Sequence, residues 1–278
     1  MRFVFALLAF AISALPTNAQ EACGTPKGEC PISLGFYRLA LPEGATGPVP
    51  ALVYLHGWGS SPAGVMRNRA LRNGLAVRGY ALIAPEGRPT HGDRSQKDWS
   101  VRDGSDYERD DITFLSAIFE DAAKRGVDRS RVLLAGFSRG GSMVWDVACN
   151  APRLARAYAP IAGAFWEPLP SGCTGGADLL HTHGWADRII PLEGRSVADG
   201  TLTQGDTFAS LKILRAANSC PAEQPDQKLI DENGDLIRAW TNCPGGRTEL
   251  WLHPGKHGTP KGWLARALDW FEAGLPEG

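Results

Sequence analysis

The chain has 278 residues, of which 43% are hydrophobic and 21% charged. That balance fits a soluble globular protein with a sizeable core, in one large α/β unit or two small ones. A formal net charge of −1 excludes a strong global field that would draw the chain to nucleic acid or to an anionic membrane.

The first element is a leader. Arg2 precedes the apolar run from Phe3 to Ile12, and Pro16-Thr17-Asn18-Ala19 supplies small residues before a cleavage point. This is the layout of a secretory signal peptide over 1–19, and the apolar run is too short to span a bilayer. The reading predicts a secreted or periplasmic protein without stable membrane insertion after cleavage. It leaves 20–278 as one catalytic domain.

The six cysteines agree with export. Cys23, Cys30, Cys149, Cys173, Cys220 and Cys243 all lie beyond the leader. Six cysteines allow 15 pairings, of which sequence neighbours are the simplest set: Cys23–Cys30, Cys149–Cys173 and Cys220–Cys243. No C-x-x-C pair occurs and the histidines lie away from the cysteines, so no metal site is expected.

Short apolar runs then alternate with helical patterns. Strands are predicted at Val49–Leu55, Tyr80–Ala84, Val132–Ala135, Ala157–Ile161, Leu179–His183 and Thr248–Leu252. Most are continuously apolar, which indicates burial on both faces, as in a parallel sheet covered by helices. Asp110 can cap a helix with Ile112, Leu115, Phe119 and Ala122 on one stripe; Phe208, Leu211 and Leu214 mark another, and Trp263 to Phe271 the last. The fold class is α/β, a mostly parallel sheet with helices on both faces. The polar stretch from Pro85 to Arg109 is long enough to be functional rather than incidental.

Gly136-Phe-Ser138-Arg-Gly140 follows the third of these strands, and a helix can start immediately after it. In a chain with 33 glycines the pattern alone is weak. The strand–turn–helix context is that of a nucleophile elbow, which makes Ser138 the candidate nucleophile. A serine hydroxyl needs a base, and the base needs an orienting acid. In this fold the acid follows the serine and the histidine comes last. Asp187 lies just past the strand ending at His183, and His257 lies in the Gly255-Lys-His257-Gly258 loop after the final strand. His253 is the rival base, nearer its strand end. Upstream, His56-Gly57-Trp58-Gly59 follows the first strand, so the amides of Trp58 and Arg139 are the candidate oxyanion donors.

His56-Gly57-Trp58-Gly59, Gly136-Phe-Ser138-Arg-Gly140-Gly141, His183-Gly184-x-x-Asp187-x-x-x-Pro191 and Gly255-x-His257-x-x-Pro260 resemble the secreted α/β-hydrolase esterases grouped with poly(3-hydroxybutyrate) depolymerases, feruloyl esterases and acetylxylan esterases. The resemblance runs from about Gly35 to the C-terminus. It implies Ser138 as nucleophile, Asp187 as acid and His257 as base. Arg139 departs from the smaller or amide residue common in those relatives, and Lys256-His257-Gly-Thr259-Pro260 departs from their Gly-His-x-Trp-Pro.

The expectation is an exported serine carboxylesterase acting on short-chain, hydroxyacyl or aromatic-acid esters through an acyl-enzyme. Small or oligomeric esters are its partners, with no nucleic acid, metal, nucleotide or organic cofactor implied. The alternatives are a peptidase of the same fold and a non-catalytic hydrolase-like binding protein. Trp58, Trp99, Trp166 and Trp185 all fall in loops after strand ends and suggest an aromatic wall around the substrate pocket, with Arg139 and Arg188 giving positive charge near its rim.

Overall fold

In the computed structural model, which describes residues 22–276 apart from 91 and 92, the chain forms fourteen strands and six α-helices. The leader expected at 1–19 lies outside the described residues. In order, these are β1 (Glu29–Ile32), β2 (Gly35–Ala40), β3 (Val49–Leu55), α1 (Pro62–Arg67), α2 (Arg69–Val77), β4 (Ala81–Pro85), β5 (Arg88–Thr90), β6 (Asp93–Asp98), α3 (Asp111–Lys124) and β7 (Val127–Phe137). Then come α4 (Arg139–Asn150), β8 (Ala157–Ile161), β9 (Leu179–Gly184), β10 (Arg195–Val197), β11 (Leu202–Gln204), α5 (Thr207–Ala217), β12 (Gln227–Ile230), β13 (Leu236–Trp240), β14 (Thr248–His253) and α6 (Trp263–Glu272).

Ten strands make one sheet in the order β1-β2-β4-β3-β7-β8-β9-β14-β13-β12. The six apolar runs singled out in the sequence are its parallel centre, β4 to β14. Four further strands without a continuous apolar run, β1, β2, β12 and β13, extend it antiparallel at both edges. Those edge strands are short and partly exposed, and so lack the continuous apolar run that marks a strand buried on both faces.

The two faces carry separate cores. Along β3, Ala51, Val53 and Leu55 point to one face and Leu52 to the other, as a period of two requires. On the first face α3, α4 and α5 pack through Phe114, Leu115, Ile118, Trp145 and Leu214. On the second, α1, α2 and α6 pack through Val65, Leu75, Trp263, Leu268 and Phe271. Asp110 caps α3 by accepting from the Thr113 amide at 2.7 Å, which contributes about 1 kcal/mol.

The disulfides are Cys23–Cys30, Cys149–Cys173 and Cys220–Cys243, the neighbour pairing. No helix among the described residues is long and apolar enough to cross a membrane.

The strand order reverses at β3. The chain goes from β3 to β4 on one side, then returns to place β7 on the other. Loops leaving the carboxyl ends of β3 and β7 therefore open side by side at this switch point, where open α/β sheets leave a crevice for ligands.

Candidate active site

Ser138 sits between the end of β7 and the first residue of α4, with φ 57° and ψ −121°. A non-glycine residue there is strained, and such strain persists only where the surroundings fix it. They do. The Ser138 amide donates to Ile161 O at 2.9 Å, and the Ser142 amide donates to Ser138 O at 2.9 Å. A Cβ at Gly136 would lie 2.4 Å from Gly140 O, and one at Gly140 would come within 2.5 Å of the carbonyl oxygens of both Leu55 and His56. Neither glycine has a positive φ, so both are needed for space rather than for backbone freedom.

The other two functional loops are tied together. The Trp185 amide donates to His253 O at 3.0 Å and the Ala186 amide to Gly255 O at 3.1 Å. Gly184 lets them approach, because a Cβ there would stand 2.3 Å from Lys256 O. Through these bonds the loop after β9 carries Asp187 and the loop after β14 carries His257 to one place.

His257 Nδ1 lies 2.6 Å from Asp187 Oδ2, and His257 Nε2 lies 2.9 Å from Ser138 Oγ. Asp187 Oδ1 accepts the amides of Ile189 and Ile190 at 2.8 and 3.0 Å. Burial works to raise the Asp187 pKa, but the His257 hydrogen bond and these two amides outweigh it and hold the carboxyl below its usual range. The ionised carboxylate claims the proton on Nδ1, which leaves Nε2 as the acceptor facing the serine hydroxyl. His253 is placed otherwise: its Nδ1 accepts from the Gly255 amide at 3.1 Å, and burial lowers its pKa.

Trp58 and Arg139 flank the serine from two elements. Arg139 opens α4, whose first-turn amides have no intrahelical acceptor and carry the positive end of the helix dipole. Trp58 follows Gly57, where an added Cβ would lie 3.5 Å from Ser138 Cβ. The turn holding Trp58 is built from beneath. His56 Nε2 accepts from the Gly87 amide at 3.1 Å, so its proton sits on Nδ1 and is donated to Gly57 O at 2.9 Å. Burial lowers the His56 pKa to about 4, against the Gly57 carbonyl, which favours the proton. Gly59 has φ 71° and donates its amide to Lys97 O at 2.8 Å.

Two of the expected aromatic positions need correction. Trp99 is fully buried and lines no cleft; its indole N–H donates to His56 O at 2.7 Å and so braces the Trp58 turn. Trp185 is exposed but stands outside the cleft wall. Trp58 and Trp166 do line the cleft, a space of about 470 Å³ that also contains Ser138.

Arg139 corrects a third expectation, since its side chain gives no free charge at the rim. It is buried, with Nε donating to Asp98 Oδ1 at 2.8 Å and Nη2 donating to Asp103 Oδ2 at 2.5 Å and to the Tyr107 hydroxyl. Its guanidinium carbon lies 4.4 Å from the centre of the Trp166 ring. The long polar stretch from Pro85 to Arg109 thus supplies the β5–β6 hairpin, the carboxylates that hold Arg139, and Trp99.

The rest of the cleft was missed in the sequence. Ile189, Ile190, Val197, Ala198, Leu202, Arg195 and Gln204 line it, most of them from the β10–β11 hairpin. A signal for that hairpin exists: Asp199-Gly200 is a turn dipeptide, and Asp199 and Gly200 have φ 54° and 88°. The flanking strands are three residues each, too short for an alternating pattern to register.

Comparisons with known proteins agree with this picture. The family model described as Phospholipase/Carboxylesterase matches residues 41–223. Feruloyl esterase C of Emericella nidulans is 27% identical over 237 residues, covering 81% of this chain and 77% of that protein. Acyl-protein thioesterase 1 of Eremothecium gossypii is 22% identical over 208 residues, covering 68% and 87%. Among solved structures, a Bacillus cereus carboxylesterase superposes with a TM-score of 0.54 at 14% identity, over 85% of this chain and 93% of that one, a likeness of fold.

Proposed function

The chain belongs to the phospholipase/carboxylesterase family and is an esterase of the α/β-hydrolase fold, and from that premise we propose that Ser138, His257 and Asp187 are its catalytic triad. The observation that carries the proposal is the unbroken hydrogen-bond chain from Asp187 through His257 to Ser138 at the floor of the cleft. The catalytic unit spans 20–278, is exported, and works on short-chain, hydroxyacyl or aromatic-acid esters. Three disulfides support the export reading, and the likeness to feruloyl esterase C supports the substrate class.

Ser138 Oγ attacks the ester carbonyl carbon as His257 Nε2 takes the hydroxyl proton. Asp187 keeps Nδ1 protonated and balances the imidazolium that forms. The carbonyl oxygen becomes an oxyanion, which the amides of Trp58 and Arg139 receive; each such donor stabilises the transition state by about 3–4 kcal/mol. Collapse breaks the carbon–oxygen bond to the alcohol, which leaves with the proton from His257. Water, deprotonated by His257, then releases the acid and regenerates the hydroxyl.

The test is hydrolysis of p-nitrophenyl acetate, butyrate and longer acyl esters, and of methyl ferulate. Ser138→Ala should lower kcat by on the order of 10⁴-fold or more with the circular dichroism spectrum retained. His257→Ala should be nearly as damaging and His253→Ala much less so. Substantial turnover by the Ser138→Ala protein would overturn the triad, and a preference for long acyl chains would overturn the substrate class.

A further inference from the structure

One exposed cation at the cleft has no counter-ion among the described residues. Arg195, on β10, lines the same space as Ser138, and its Nε donates to Ile189 O at 3.1 Å and to Gln204 Oε1 at 3.4 Å. The Nη groups, with four N–H donors, meet no acceptor among the described residues. Glu193 and Asp199 flank it in sequence, yet neither is paired with it. The contrast with Arg139 is sharp, because that guanidinium is fully engaged by Asp98, Asp103 and Tyr107. Asp98, the carboxylate that lines the cleft, is paired with Arg139, and Asp187 is spent on His257 and two amides.

Gln204 stands across the hairpin from Arg195 in the register of β10 and β11. It is only 7% exposed, and it forms a backbone bridge with Trp166, itself part of the cleft wall. With its Oε1 committed to Arg195, what remains is an amide with two N–H donors and no acceptor among the described residues. Those N–H groups are open to solvent at the cleft, where a ligand can take them up. Around the pair, Ile190, Val197 and Leu202 give the cleft an apolar lining.

We infer that Arg195 and Gln204 form a subsite for a carboxylate carried by the ester substrate. This deepens the esterase reading and rests on it. A pair that presents donors alone, with the Arg195 charge uncompensated, is matched by an anionic oxygen pair, which a guanidinium fork takes in bidentate fashion. A half-ester of a dicarboxylic acid, or the free acid end of a hydroxyacid oligomer, has that chemistry. The apolar lining takes the chain between the reacting ester and the carboxylate.

The experiment compares kcat/KM for mono-p-nitrophenyl glutarate with that for p-nitrophenyl pentanoate, which has the same acyl chain length without the charge. In Arg195→Gln the glutarate-to-pentanoate ratio should fall about tenfold at low ionic strength, the size of one charge-assisted contact. Gln204→Leu should lower it too, and Arg195→Glu should lower it further. High salt should shrink the ratio of the parent protein towards that of Arg195→Gln. Ratios within about twofold of the parent in both Arg195→Gln and Gln204→Leu overturn the subsite. Calorimetric titration of Ser138→Ala with glutarate, with and without Arg195→Gln, separates this inference from the esterase reading. Binding lost on Arg195→Gln upholds the subsite even if turnover fails, whereas binding that Arg195→Gln leaves unaltered sinks it.

Discussion

At the scale of single residues, chemistry is what made the site legible. A nucleophilic serine needs small neighbours, a base and an orienting acid in a set order, so Ser138, Asp187 and His257 stand out from sequence alone. Arg139 did not reveal its role, because its partners Asp98 and Asp103 lie 41 and 36 positions upstream. Nothing local distinguishes an arginine that will be buried from one at the rim. The burial has a measurable consequence. Asp103 is buried and its pKa is lowered; burial itself works to raise it, and the charge and hydrogen bonds of Arg139 outweigh that. Removing one partner of a buried ion pair leaves an uncompensated charge, which costs about 3–5 kcal/mol. Asp98 stays to share Arg139, so Asp103→Ala is expected at the lower end, about 3 kcal/mol by urea denaturation at neutral pH. A loss under about 0.5 kcal/mol means that water or Asp98 alone satisfies the guanidinium.

At the scale of elements, the sequence exposes what is buried on both sides and hides the rest. All six parallel strands were found because apolar residues dominate most of them, with His181-Thr182-His183 in β9 and Thr248-Glu249 in β14 as polar interruptions, whereas β1, β2, β12 and β13 at the edges and the hairpins β5–β6 and β10–β11 were not. The second hairpin matters most, since it carries much of the wall of the cleft that contains Ser138. The junction of β3, β7 and α4 shows how tightly elements must meet for the proposed chemistry. A Cβ on Gly140 would press on the carbonyl oxygens of Leu55 and His56, both backbone atoms that no rotamer change can move aside. Gly140→Ala therefore has to push α4 away from the end of β3, which separates the two loops that hold the Arg139 and Trp58 amides. The expected outcome is a loss of several kcal/mol of stability and, in whatever protein folds, a kcat reduced by on the order of 10²-fold with KM little changed, as for a displaced oxyanion donor. A KM effect without a kcat effect would place the damage in substrate binding instead.

At the scale of the whole molecule, the central sheet is closed around neutral histidines, and that sets its response to acid. His56 follows β3, and His181 and His183 lie on β9, all three buried. Burial lowers the pKa of each, to about 4 for His56. The Gly87 hydrogen bond points the same way for His56, whose Nε2 must stay unprotonated to accept it, while the Gly57 carbonyl works against burial. In the unfolded chain these rings titrate near their ordinary value of about 6.5. Between pH about 6.5 and about 4 the unfolded state therefore binds more protons at these rings than the folded one, so their contribution to stability rises with pH across that window. It is fully present above about 6.5 and is lost as the pH falls towards 4. His56 alone accounts for a loss of about 3 kcal/mol over that interval. Asp187 and Asp103, whose pKa values are lowered in the fold, add a further loss once the pH drops below the ordinary carboxylate range. Burial raises the Asp146 pKa to about 7, so its protonation in the fold opposes the histidine loss over the same window, and urea unfolding at pH 8, 6.5, 5 and 4.5 reads the difference between the two. His56→Gln keeps an acceptor for the Gly87 amide but cannot take up a proton, so between 6.5 and 4.5 its stability should fall less, or rise more, than the parent's. A His56→Gln slope matching the parent's would show that His56 is not buried as a neutral ring.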